Sequence, residues 1–123
     1  MEFRTIVNIE KPDFEIMPME KMLFVGSCFA DNIGRRFVDN KFNAIVNPYG
    51  VMYNPASILH TVERLVKDDR EQGQFSPRVV FFTLGTNHIY RLKETGEIVD
   101  NCQKRSARLF QEEELSVDQC ADY

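Results

Sequence analysis

Met22-Leu23-Phe24-Val25 is an unbroken apolar run that stops at Gly26, and a one-sided helical pattern starts within a few residues of it. A strand without polar alternation needs cover on both faces, a condition met mainly in parallel sheets flanked by helices. After the run, Ala30, Ile33, Gly34, Phe37 and Val38 recur at helical spacing while Asp31, Asn32, Arg35, Arg36 and Asp39 fill the opposite face. That pattern predicts an amphipathic helix over 29–39 that opens near Cys28. Buried strand, glycine turn and helix leave few fold classes open.

The same grammar repeats downstream. Phe42-Asn43-Ala44-Ile45-Val46 reads as a second strand that ends at Asn47-Pro48-Tyr49-Gly50, a loop marked by its Pro and Gly. Asn54-Pro55 is a helix cap followed by proline at the first helical position, and Ile58, Leu59, Val62, Leu65 and Val66 carry a second helix over 55–67. The charges of Lys67 to Glu71, then Gly73, are expected to end it. Val79-Val80-Phe81-Phe82-Thr83-Leu84 is a third apolar strand closing at Gly85, and its two-sided apolarity marks it as central. Ile89-Tyr90-Arg91-Leu92 and Glu97-Ile98-Val99 flank Glu94-Thr95-Gly96 and predict a β-hairpin. Strand–helix–strand–helix–strand order implies right-handed crossovers, a three-layer α/β unit and the sheet order second, first, third.

With 123 residues, the chain is expected to be a single domain. Its 43% hydrophobic content and ten Phe exclude a disordered chain. Fifteen basic against 19 acidic residues give a net charge of −4, so no broad nucleic-acid footprint is expected. Charges at Glu2, Arg4, Glu10, Lys11, Asp13 and Glu15 break up any signal-peptide core, and no apolar run is long enough for a membrane span. Cys28, Cys102 and Cys120 are odd in number and widely spaced, which fits neither a disulfide framework nor a CxxC motif. A cytoplasmic protein with no metal and no cofactor is the expectation. Ser116 and Gln119 have capping-box spacing close to the last residue, Tyr123. With three parallel strands, this late helix start leads us to expect a truncated, N-terminal portion of a larger domain over 1–123.

Ligands of open α/β sheets bind at the carboxyl ends of the strands. Here those ends read Gly26-Ser27-Cys28-Phe29-Ala30, Asn47-Pro48-Tyr49-Gly50 and Gly85-Thr86-Asn87. A nucleophile between a strand and a helix N-terminus gains from the helix dipole, and nearby N–H groups can hold an oxyanion. Each residue also has a plainer reading. Cys28 could be a small buried hydrophobe, Ser27 a helix cap, Gly26, Gly50 and Gly85 turn residues, and Asn87 a turn amide. His60 lies off the apolar stripe of its helix and reads as solvated, His88 as a strand-end histidine, and Glu112-Glu113-Glu114 as a solvated acidic face.

Phe24-Val-Gly-Ser-Cys-Phe-Ala-Asp-Asn-Ile-Gly34 resembles the signature of the GSCFA family, as do Asn47-Pro-Tyr-Gly-Val-Met-Tyr-Asn-Pro55, Leu84-Gly-Thr86 and Asn101-Cys-Gln-Lys104. The resemblance implies the SGNH hydrolase superfamily, with a flavodoxin-like parallel sheet and esterase, deacetylase or acyltransferase chemistry on a small-molecule or carbohydrate ester. An ungapped match on Gly26 puts Cys28 at the nucleophile; a one-residue shift puts Ser27 there. Gly50 matches the oxyanion glycine in position, and Gly85-Thr86-Asn87 matches the Gly-x-Asn block literally. Binding roles are implied for Gly26, Gly85, Asn101 and His88. The superfamily's Asp-x-x-His block has no counterpart: neither His60 nor His88 has an Asp three residues before it. Little or no esterase turnover is therefore expected of this chain alone, unless His88 swings into the site. The competing reading is a non-catalytic α/β module that forms homo-oligomers to cover its sheet edges.

Overall fold

β1 (Met22–Gly26) is buried along its whole length and forms the centre of a three-stranded parallel sheet in the computed structural model, which describes residues 3–72, 76–99 and 108–123. β2 (Ala44–Val46) pairs on one side, with Met22 opposite Ala44. β3 (Val79–Thr83) pairs on the other, from Met22 opposite Val79 to Gly26 opposite Thr83. The order β2-β1-β3 is the one the crossover argument predicts.

Strand side chains alternate between faces, and each face of β1 meets a different helix. Met22 and Phe24 pack with Ala30, Ile33 and Phe37 of α1 (Cys28–Asp39), whereas Leu23 and Val25 pack with Met52 and with Ile58 and Leu65 of α2 (Pro55–Gln72). Phe24 stacks on Phe81 with ring centroids 4.7 Å apart and tilts against Phe37 at 5.4 Å. Gly34 lets α1 approach closely, since a Cβ there would lie 2.6 Å from Val46 Cγ2.

Two expectations change. α2 does not end at Lys67 but runs on to Gln72, because Lys, Arg and Glu are good helix formers and interrupt only the apolar stripe. Two-sided apolarity marks Val79–Leu84 as a central strand, yet β3 is an edge of the described sheet. Val80, Phe81 and Phe82 are 41%, 37% and 54% exposed.

The chain then builds a second, antiparallel sheet in the order β5-β4-β6. β4 (His88–Leu92) and β5 (Ile98–Val99) form the expected hairpin, closed by Gly96 at φ 73°. β6 (Phe110–Glu114) contains the acidic run, which is a strand as well as a largely exposed face. Ile89, Leu115 and Ala56 of α2 form a small core that joins this sheet to the first helical turn of α2. α3 (Val117–Ala121) follows, with both capping-box bonds in place: Gln119 N–H donates to Ser116 Oγ and Ser116 N–H to Gln119 Oε1. No helix among the described residues is long and apolar enough to cross a membrane.

Candidate functional site

The turn after β1 is set by backbone packing. Gly26 has φ +142°, and an added Cβ would lie 2.1 Å from the Thr83 carbonyl oxygen, so only glycine fits between the paired strands. Ser27 then caps α1: its Oγ accepts from Phe29 N–H at 3.4 Å and lies 3.0 Å from Thr83 Oγ1. Ser27 N–H donates to Thr83 as well, and the residue is only 6% exposed. Cys28, the first residue of α1, is exposed. The capping reading of Ser27 and the exposed position of Cys28 are thus both present in one turn.

The loop after β2 is tied to this turn. Asn47, buried and at φ 40°, accepts from Gly26 N–H through Oδ1 at 2.9 Å and donates to Asp31 Oδ1 through Nδ2 at 3.3 Å. Asp31 also receives Arg35 Nε at 2.7 Å. The Arg35 guanidinium draws the Asp31 carboxyl below its ordinary pKa; partial burial opposes this, and the Asn47 amide reinforces it. Further along the loop, Met52 N–H donates to the Gly26 carbonyl at 2.9 Å. Tyr49 donates its hydroxyl to Asp68 of α2, and that hydrogen bond raises the phenol's pKa.

The third strand end joins through Tyr53. Its carbonyl accepts from Gly85 N–H at 2.9 Å and Thr86 N–H at 3.0 Å. A Cβ on Gly85 would lie 2.6 Å from the Tyr53 ring and 3.2 Å from Ser27 Cβ, so Gly85 separates the two side chains by the thickness of a backbone. Gly26, Ser27 and Gly85 are therefore brought together, and the 47–53 loop joins both turns.

The two expected oxyanion donors have other partners. Gly50 N–H donates to the Asn47 carbonyl at 2.9 Å, which closes a turn. Asn87 Nδ2 donates to the Leu115 carbonyl at 2.8 Å and to Glu114 at 3.3 Å, fastening the Gly-Thr-Asn turn to the strand after it. Either would have to release these bonds to serve a reacting oxygen. Asn101 lies outside the described residues, as does Cys102.

His88 starts β4. Its N–H donates to Thr86 Oγ1 at 3.2 Å, and its ring Nδ1 lies 2.5 Å from Glu112 Oε1. These residues line a cavity of about 360 Å³ together with Tyr53 and Tyr90. Sequence reasoning missed Asn47 as a clamp, Thr83 as the partner of Ser27, and Tyr53 and Glu112 as site residues. Only Thr83 carries a local signal, as the one polar residue in an otherwise apolar strand. Among the described residues, no three His, Cys, Asp or Glu side chains gather to hold a metal ion.

The profile of the GSCFA family matches residues 21–77 and 71–123, which span both sheets and every turn described above. Comparison with curated proteins and with solved structures gives no match. The match covers most of the chain and includes the Gly26-Ser27-Cys28 turn around which the site is built, so the chain belongs to the GSCFA family.

Proposed function

We propose that this protein is an SGNH-like, flavodoxin-like acyl-transfer module that acts on an ester of a small molecule or carbohydrate, with Cys28 as the nucleophile. One observation carries the reading: an exposed thiol stands at the first residue of α1, where the turn from the central strand meets the Gly85 turn. The first N–H groups of a helix have no intrahelical acceptor, and although Ser27 Oγ takes that of Phe29, the rest of the first turn is the proposed source of donors to an oxyanion. Ser27 is less suited to attack, because it is buried and its hydroxyl is engaged by Thr83 and Phe29.

In the proposed step, the Cys28 thiolate attacks the ester carbonyl, the carbon–oxygen bond to the alcohol breaks, and the alkoxide leaves with a proton from solvent. Incubation with 4-nitrophenyl acetate followed by peptide mass spectrometry tests the assignment. An acetyl group on the Cys28 peptide, absent in Cys28→Ala and retained in Ser27→Ala, is expected. Acetylation of Ser27, or none in the wild type, would remove Cys28 from the role. Iodoacetamide should also label Cys28 before Cys120, which is only partly exposed.

A second reading, a self-associating module without catalysis, is favoured by the open edge of β3, where Phe82 is 54% and Leu84 58% exposed. Sedimentation separates the two. A dimer lost on Phe82→Lys, with no acetylation, would favour the module.

A further inference from the structure

We propose that the cavity beside β4 and β6 binds a small organic cation, an alkylammonium group held by two tyrosine rings and the Glu112 carboxylate. The cavity measures about 360 Å³ and is lined by Tyr53, Thr86, His88, Tyr90 and Glu112. That volume lies near the lower end of the roughly 300–1,000 Å³ usual for small-molecule sites, so the occupant is a compact head group. Among the described residues the lining includes neither Ser27 nor Cys28, and the proposal does not rest on the acyl-transfer reading.

The two faces of the antiparallel sheet differ in how their carboxylates are paired. Residues directly opposite each other share a face, and successive residues alternate. Ile89, Arg91, Gln111 and Glu113 therefore occupy one face, where Arg91 Nε meets Glu113 at 3.0 Å. His88, Tyr90, Leu92, Phe110, Glu112 and Glu114 occupy the other, so within these paired strands that face carries two carboxylates and no Lys or Arg. Among the described residues, the Glu114 carboxylate receives the neutral Asn87 amide at 3.3 Å. Glu112 Oε1 takes both His88 Nδ1, at 2.5 Å, and Tyr90 Oη, at 3.4 Å. A carboxylate offers about four acceptor positions over two oxygens, and a neutral imidazole donates a proton to one of them without cancelling the charge. A cation that enters the cavity supplies the partner that Arg91 provides on the opposite face.

The tyrosines complete the chemistry. An aromatic face attracts a cation within about 6 Å of the ring centroid, most of all when the cation is an ammonium shielded from water. Tyr53 and Tyr90 reach the wall from different parts of the chain, and backbone bonds set both in place. The Tyr53 carbonyl accepts from Gly85 N–H at 2.9 Å and from Thr86 N–H at 3.0 Å. Thr86 Oγ1 in turn accepts from His88 N–H at 3.2 Å, and Tyr90 stands directly opposite Glu112 in the β4–β6 register. An anion would meet like charge here, and a neutral ligand would gain nothing from Glu112.

The probe is choline, set against neohexyl alcohol, in which carbon replaces the ammonium nitrogen. Each is titrated into the full chain and followed by amide chemical shifts. Choline should shift Thr86, His88, Tyr90 and Glu112 saturably, with an affinity that falls as salt is added, and the alcohol should bind far more weakly. Tyr90→Leu should weaken choline on the order of 2- to 30-fold, the range one cation–π contact supplies, while Tyr90→Phe, which keeps the ring, should stay within about 2-fold of the wild type. Glu112→Gln, a change of charge at nearly constant shape, should weaken choline as well and flatten its salt dependence. Equal affinity for choline and the alcohol overturns the cation site. So does choline binding unchanged in both Tyr90→Leu and Glu112→Gln, or no saturable shift with choline at all. Acetylation of Cys28 is a separate readout, so failure of the cation site and failure of the acyl-transfer reading are told apart.

Discussion

From Met22 to Gly26 every residue of β1 is buried, whereas β4 buries only Ile89 and leaves His88, Tyr90, Arg91 and Leu92 partly open to solvent. The parallel sheet is held by apolar contact on two faces, with α1 on one and α2 on the other. The antiparallel sheet has a small core of Ile89, Leu115 and Ala56, and much of its pairing is expressed in polar side chains. Arg91 Nε reaches diagonally to Glu113, the residue directly opposite Ile89, at 3.0 Å, and His88 meets Glu112 on the other face. The contrast teaches a division of labour. The first region supplies a rigid platform for the Cys28 turn, and the second supplies polar groups at a surface where they stay reachable.

The largest test removes the aromatic centre of the platform. Phe24→Ala should cost about 3–5 kcal/mol in urea denaturation, since the ring is buried between Phe81 and Phe37. Ile89→Ala, at about 2–5 kcal/mol locally, should reduce amide protection in β4 and β6 while β1 and β3 stay protected. Uniform loss of protection in Ile89→Ala would erase the distinction between the regions.

Two glycines sharpen the same contrast. Gly26→Ala forces a Cβ against the Thr83 backbone at φ +142°, so overpacking of roughly 1–3 kcal/mol adds to the conformational cost. Gly96→Ala, at φ +73° in open space, should show the conformational cost alone, about 1–2 kcal/mol. Equal midpoints for the two variants in denaturant would mean that the β1–β3 contact contributes nothing.

Smaller still is the Arg91–Glu113 pair, whose side chains are 38% and 39% exposed. A double-mutant cycle should give a coupling of about 0.2–1 kcal/mol that fades with added salt.

The smallest effect is a pH dependence. Asp31 has its folded pKa lowered below the usual 3.8, chiefly by Arg35. Its contribution is therefore fully present above that value and is lost as pH falls through the lower folded value. The stability difference between wild type and Asp31→Asn should shrink on acidification below about pH 4; a difference that grows there would reverse the sign of the Asp31–Arg35 contact.

The sequence by itself determined the parallel unit. Its strands are apolar without alternation, its helices carry one-sided stripes, and Gly26, Asn54 and Pro55 mark the junctions, so local pattern and crossover rules leave β2-β1-β3 as the arrangement. The Gly96 hairpin and the Ser116 cap were legible for the same reason, since turn and cap chemistry act over a few residues. Tertiary structure alone decided the rest. Glu112–Glu114 have poor intrinsic strand preference and become β6 only because β4 offers His88 and Arg91 as partners more than 20 residues away. The Ser27 cap was legible, but its lock on Thr83, Asn47 as the clamp on Gly26, and the engagement of Gly50 N–H and Asn87 Nδ2 all depend on which loops meet at the sheet edge. Hydrogen bonds between residues distant in sequence leave no periodicity to read; only the packed sheet brings their donors and acceptors within 3 Å or so of one another.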